Sequence, residues 1–120
     1  MSGLPAFFKN IYQDFNDRNI DRVITHMTDD VQWANGMDGG YVYGHDGVRQ
    51  YWIRQFGLIR SNVTPLEIQQ ENDAVKIKVH QVVHDLNHNL LADEIVSHCF
   101  YLQDGKIARF EIGNKHTARK

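Results

Sequence analysis

Apolar residues recur every three or four positions in the first half of this chain and every second position in the second half. Leu4, Phe7, Phe8, Ile11, Tyr12 and Phe15 form one stripe with polar residues opposite, which predicts an amphipathic helix. Pro5 suits its first turn, where a missing N–H costs nothing. "NDRN" breaks the stripe. Asn19 or Asp21 is then placed to cap a second, short helix carrying Ile20, Val23, Ile24 and Met27, and "TDD" closes it. A short strand is expected at Val31–Trp33, followed by a loop over "NGMDGG". The segment "GHDGVRQYWIRQF" starts a third helix with a Val48, Tyr51, Trp52 and Phe56 stripe. Asp46 is its candidate N-cap, and Pro65 ends the region.

The pattern then changes period. A short strand is expected around Leu66–Gln70. From Val75 to His84, Ile77, Val79, Gln81 and Val83 share one face, and Lys76, Lys78, His80 and Val82 the other. "DLNHN" is a turn, Leu90–Leu102 a long strand with room for a bulge, and "QDG" a turn into Ile107–Ile112. Helices first and an antiparallel meander afterwards argue for an α+β fold rather than a doubly wound sheet.

Composition narrows the function classes. The 120 residues suit one domain over 1–120, and 42% hydrophobic with 23% charged residues is ordinary for a folded globule. The net charge of −2 comes with no clustered Lys/Arg stripe, so nucleic acid is not an expected partner. The single cysteine, Cys99, allows no internal disulfide, which fits a reducing compartment. The N-terminal "MSGLPAFFKN" lacks the parts of a signal peptide. No apolar run approaches the roughly 18 residues of a membrane span. A cytoplasmic protein without membrane association is expected. His80 and His84 are four residues apart on one strand, roughly 13 Å, too far to share a zinc ion, so neither metal nor cofactor is expected.

One residue interrupts the apolar logic. His98 lies inside the strand-like "IVSHCFYLQ", and the turn after it decides where it points. A two-residue turn at Asp104-Gly105 pairs Cys99 with Phe110 and His98 with Glu111, on the polar face. A three-residue Gln103-Asp104-Gly105 loop pairs His98 with Phe110, Phe100 with Ala108 and Val96 with Ile112. The second register gathers the more apolar face and is preferred. It turns His98 inward.

The stripe followed by "FNDRNIDRVITHMTDDVQW", the glycine before "GVRQYW", and the strand entered through "DGKI" resemble the nuclear transport factor two-like superfamily. The nearer similarity is to SnoaL-like and ketosteroid-isomerase-like members, over about Phe7 to Ile112. The resemblance implies a cone-shaped, curved antiparallel sheet wrapped around three N-terminal helices, an internal pocket, and dimers through the outer sheet face. In ketosteroid isomerases an aspartate base works with a tyrosine and a protonated aspartic acid that hold the oxyanion. Carried over, the base position falls on Asn35, an amide that cannot take a proton at neutral pH. The tyrosine falls near Ile11, beside Tyr12, and the neutral acid falls on His98. Steroid isomerisation by that mechanism is therefore not expected. SnoaL-like cyclases also use a pocket acid, which the sequence does not locate.

The candidate catalytic residue is His98, whose imidazole can donate, accept or shuttle a proton. A histidine satisfied within the sheet is the competing explanation. The candidate ligand-binding residues are Tyr12, Phe15, Trp33, Asn35, Trp52, Gln81, Phe100 and Phe110. Gln81 is an amide on an apolar face and needs partners. Asn35 serves equally well in an Asx-turn. Asp38 is the outside candidate for a lid acid, while Asp93 and Glu94 are expected at the surface, with one of them at the pocket edge as the alternative. Two functions remain open. One is an isomerase, cyclase or lyase acting on a small apolar or polyketide-like molecule. The other is a non-catalytic domain that binds a small apolar or aromatic ligand, or a dimeric accessory module.

Overall fold

A computed structural model describes residues 4–36, 38–72 and 74–117 of the chain. Three helices, α1 (Leu4–Asn16), α2 (Ile20–Ile24) and α3 (Gly44–Phe56), accompany six strands: β1 (Met27–Ala34), β2 (Tyr41–Tyr43), β3 (Ile59–Glu71), β4 (Ala74–Asp85), β5 (Leu90–Gln103) and β6 (Lys106–Thr117). The sheet order is β2-β1-β6-β5-β4-β3. The fold is α+β, with a curved sheet around the helices. Two features correct the expected architecture. β1 pairs with β6 in parallel, so the sheet is mixed. β2 and β3 end the order without meeting, so the cone is an open sheet and not a closed barrel.

The helix α1 forms for the reason its stripe suggests: Phe8, Ile11 and Tyr12 are buried on one face. Its end is tied to the edge strand. The Asn16 side chain donates to the Val63 carbonyl and accepts from the Val63 N–H, both at 2.9 Å. Arg18, at φ 65, donates to the carbonyls of Phe15, Asn16 and Ser61 and lies 4.7 Å from the Phe56 ring centroid. The bonds to the Phe15 and Asn16 carbonyls serve acceptors at the helix terminus, and those to Ser61 and Val63 hold it to β3.

Several local expectations shift. α2 ends at Ile24, so Met27 and "TDD" belong to β1 rather than to the helix and its stop. Asn19 occupies the N-cap of α2 without a side-chain bond. The α3 N-cap is Tyr43, and Asp46 sits in the first turn, paired with Arg49 at 3.2 Å. Pro65 lies within β3, at a register shift opposite Val79. β3 is an edge strand, where a missing N–H is tolerated.

The β5–β6 connection resolves the His98 fork by a route not foreseen. Asp104 and Gly105 have φ of 54 and 81, and Gln103 pairs with Lys106. That is a two-residue type I′ turn, not the preferred three-residue loop. Left alone, it would set Glu111 against His98. The register shifts between Tyr101 and Leu102, however: Leu102 pairs with Ile107, whereas Tyr101 pairs with Arg109. Ala108 is the extra residue of this bulge, which resets the alternation by one position. His98 therefore pairs with Ile112, and Phe100 with Phe110. His98 does face inward, and Ile107 and Phe110 are buried on the same side.

Candidate functional site

The inner sheet face and the helices enclose a cavity of ≈ 340 Å³, at the small end of the range for small-molecule sites. Its walls are aromatic. Trp52 meets Trp33 edge-on at 5.2 Å and Phe15 at 5.4 Å, and Trp33 stacks on Phe110 at 4.2 Å. Burial along β5 gives the direction: Phe100, His98 and Val96 are buried, Glu94 and Ala92 half-buried, Leu91 and Leu90 exposed. The deep end thus lies at Phe100 and His98, and the mouth at Glu94 and Ala92.

At the deep end the Tyr12 hydroxyl and His98 Nδ1 are 2.7 Å apart. α1 brings the tyrosine and β5 the imidazole, from 86 positions apart in the chain. Their rings are near parallel, and Phe110 meets the imidazole edge-on at 4.9 Å. Burial pushes the His98 pKa down to about 4 and the Tyr12 pKa well above its usual value. Both groups are therefore neutral at pH 7. The pair holds two polar protons and uses one between its members. If Tyr12 donates to Nδ1, the imidazole keeps its Nε2–H to give. If Nδ1–H donates, the phenol keeps its own proton. Either way one donor remains, backed by a polarised partner.

Seven of the eight expected ligand-binding residues line the cavity: Tyr12, Phe15, Trp33, Trp52, Gln81, Phe100 and Phe110. Asn35 is not brought there. Its Oδ1 accepts from the Asp38 N–H at 2.9 Å, the Asx-type bond that "NG" loops favour. Asp38 pairs with Arg54 at 2.7 Å. Asp93 pairs with His80 on the outer sheet face, also at 2.7 Å.

Of the other polar lining, the sequence reading missed Gln55 and Ser61 and favoured the surface for Glu94 over the pocket edge. Glu94 lines the cavity as the register partner of Gln81, rather than lying on the surface. Its parity with His98 along β5 was the available signal. Gln55, from the last turn of α3, and Ser61, from the start of β3, also line it. Gln55 Oε1 is buried and has no hydrogen-bond partner among the described residues. Tyr51 contributes a hydroxyl that accepts from the Gly36 N–H at 3.0 Å. Among the described residues no cluster of His, Cys, Asp or Glu could hold a metal ion, and no helix is long and apolar enough to cross a membrane.

The chain is similar to solved structures over most of its length. TerC, co-crystallised with polyporic acid, has 26% identity and a TM-score of 0.79, covering 92% of this chain and 88% of that one. An NTF2-like protein from Burkholderia pseudomallei has 22% identity and a TM-score of 0.82, covering 98% and 92%. A Mycobacterium tuberculosis protein in complex with estradiol-17beta-hemisuccinate has 14% identity and a TM-score of 0.75, covering 92% and 91%. No curated protein matches. The sequence profile of the SnoaL-like domain matches residues 8–110, and the chain belongs to that family.

Proposed function

We propose that this protein is a proton-transfer enzyme of the isomerase, cyclase or lyase kind, acting on a small, flat, apolar carbonyl compound. The observation that carries this reading is the neutral Tyr12–His98 pair at the base of an aromatic cavity. A hydrogen-bond donor aimed where a carbonyl oxygen gains charge favours the enolate over the ketone, and in a dry site each such donor contributes ~10²–10³ in rate. The base at the family position is the amide Asn35, which lies outside the cavity lining. Glu94 is the carboxylate in that lining, at the mouth and four strand positions from His98, and we assign it the proton-accepting role by way of a water in the cavity, with Gln81 beside it orienting the substrate. The relatives crystallised with polyporic acid and with a steroid ester support flat, ring-bearing ligands for this cavity. No cofactor enters this chemistry. A homodimer through the outer sheet face and a cytoplasmic location complete the proposal.

The test is deuterium uptake at the α-carbon of β-tetralone, followed by proton NMR. The protein is expected to accelerate exchange over buffer. His98→Ala should lose about 100-fold of that acceleration, and Glu94→Gln should lose most of it. A second reading, a binding domain without chemistry, is favoured by the amide at the base position. It is the outcome if β-tetralone quenches the tryptophan fluorescence yet exchanges no faster than in buffer.

A further inference from the structure

The cavity contains a second polar station that the proton transfer does not use. Gln55 and Ser61 lie on either side of the α3–β3 turn, and both line the cavity. Ser61 is 4% exposed and shares the inward parity of Val63. The Gln55 oxygen is buried without a hydrogen-bond partner among the described residues. A buried acceptor without a donor is disfavoured and is rarely retained without a reason.

From these residues we infer that the ligand is two-ended: an oxygen held at Tyr12 and His98, and a hydroxyl on a second ring held between Gln55 and Ser61. The inference rests on the cavity being the ligand site proposed above. A hydroxyl fits better than an amine or a ketone for a simple reason. It donates to an amide oxygen and accepts from an amide N–H or a serine hydroxyl, so it satisfies this station whichever way the amide is turned. The spacing sets the ligand's length. Ser61 pairs with Val83 and His98 with Ile77 on the shared strand β4. Six strand positions are roughly 20 Å of extended backbone. A ligand that touches both stations must therefore extend beyond one ring, and two linked rings are the smallest such ligand. The tryptophan walls of the cavity favour flat ones.

The experiment compares para-phenylphenol with the same molecule carrying a second para hydroxyl on its far ring. Affinities are read from tryptophan fluorescence, since Trp33 and Trp52 line the cavity. The two-hydroxyl compound is expected to bind about tenfold more tightly, the effect of one hydrogen bond to a buried, otherwise unpartnered group. In Gln55→Leu that ratio is expected to fall to about one, and in Ser61→Ala to fall part of the way. Binding of para-phenylphenol that depends on His98, with a ratio of about one in the wild-type protein, overturns the two-ended ligand and leaves the cavity assignment standing. A tenfold ratio that survives Gln55→Leu overturns the station. Failure of both compounds to bind overturns the cavity assignment and this inference with it.

Discussion

Tyr12 and His98 are hydrogen-bonded at 2.7 Å, and each is less than a tenth exposed. The bond gives both members a partner in a place where water does not compete. Tyr12→Phe leaves Nδ1 buried and without that partner, at a cost of about 1–3 kcal/mol. Urea unfolding should show the lower midpoint at an unchanged slope. Nitrogen-15 NMR of the imidazole should show the altered Nδ1 environment directly.

The same burial makes His98 a source of acid sensitivity. Its pKa is about 4 in the folded chain, lowered by desolvation, against 6.5 for an ordinary imidazole. Between these values the unfolded chain binds the proton and the folded chain does not. The stability contribution is therefore complete above pH 6.5 and is lost as pH falls toward 4, by on the order of 3 kcal/mol. Denaturation of wild type and His98→Gln at pH 7 and pH 4.5 should show a steeper acid loss in the wild type.

Phe100 holds the deep wall, in ring contact with Phe8, Tyr12, Trp33, His98 and Phe110. Phe100→Ala should cost ~3–5 kcal/mol through lost burial and the void left behind. The void opens beside the dyad, so calorimetry should show the loss of stability together with weakened ligand binding.

Gly105 adopts φ 81 in the turn that starts the β6 register. Gly105→Ala should destabilise by roughly 1–2 kcal/mol, the cost of a Cβ in the left-handed region. The shift is read as a lower Tm, with the His98 imidazole signals retained because the bulge still sets the inward parity.

The outer sheet face is the proposed dimer surface. Sedimentation at high concentration should show a species of twice the 14.0 kDa chain mass. A boundary at the single-chain mass throughout the concentration range would refute the dimer.

Much of the fold was legible because local periodicity is a local cause. Where side chains must lie on one face of a helix or on alternate faces of a strand, the chain records it position by position, as in the α1 stripe and the β4 alternation. The strand β2, three residues long, carries too little pattern to be read. The parallel β1–β6 pairing joins distant segments, and nothing local encodes it. Asp46 has the right residue type for a cap, but the helix starts earlier, at Gly44, which places Asp46 within the first turn.

What the sequence determined by itself was the α+β class, the inward face of β4, and the singling out of Tyr12 on an apolar stripe and of His98 as the polar residue whose direction hangs on the turn after β5. Tertiary structure decided which polar groups meet. The two-residue turn at Asp104-Gly105 would have matched Glu111 to His98, and only the extra residue Ala108 restores an apolar partner. A bulge is selected by packing of the whole inner face, because one slipped position turns every later side chain over. The dyad itself exists because α1 docks across β5, and Gln55 and Glu94 reach the same cavity from elements far apart in the chain. Convergence of that kind is a property of the curved sheet packed on its helices, and no short stretch of sequence contains it.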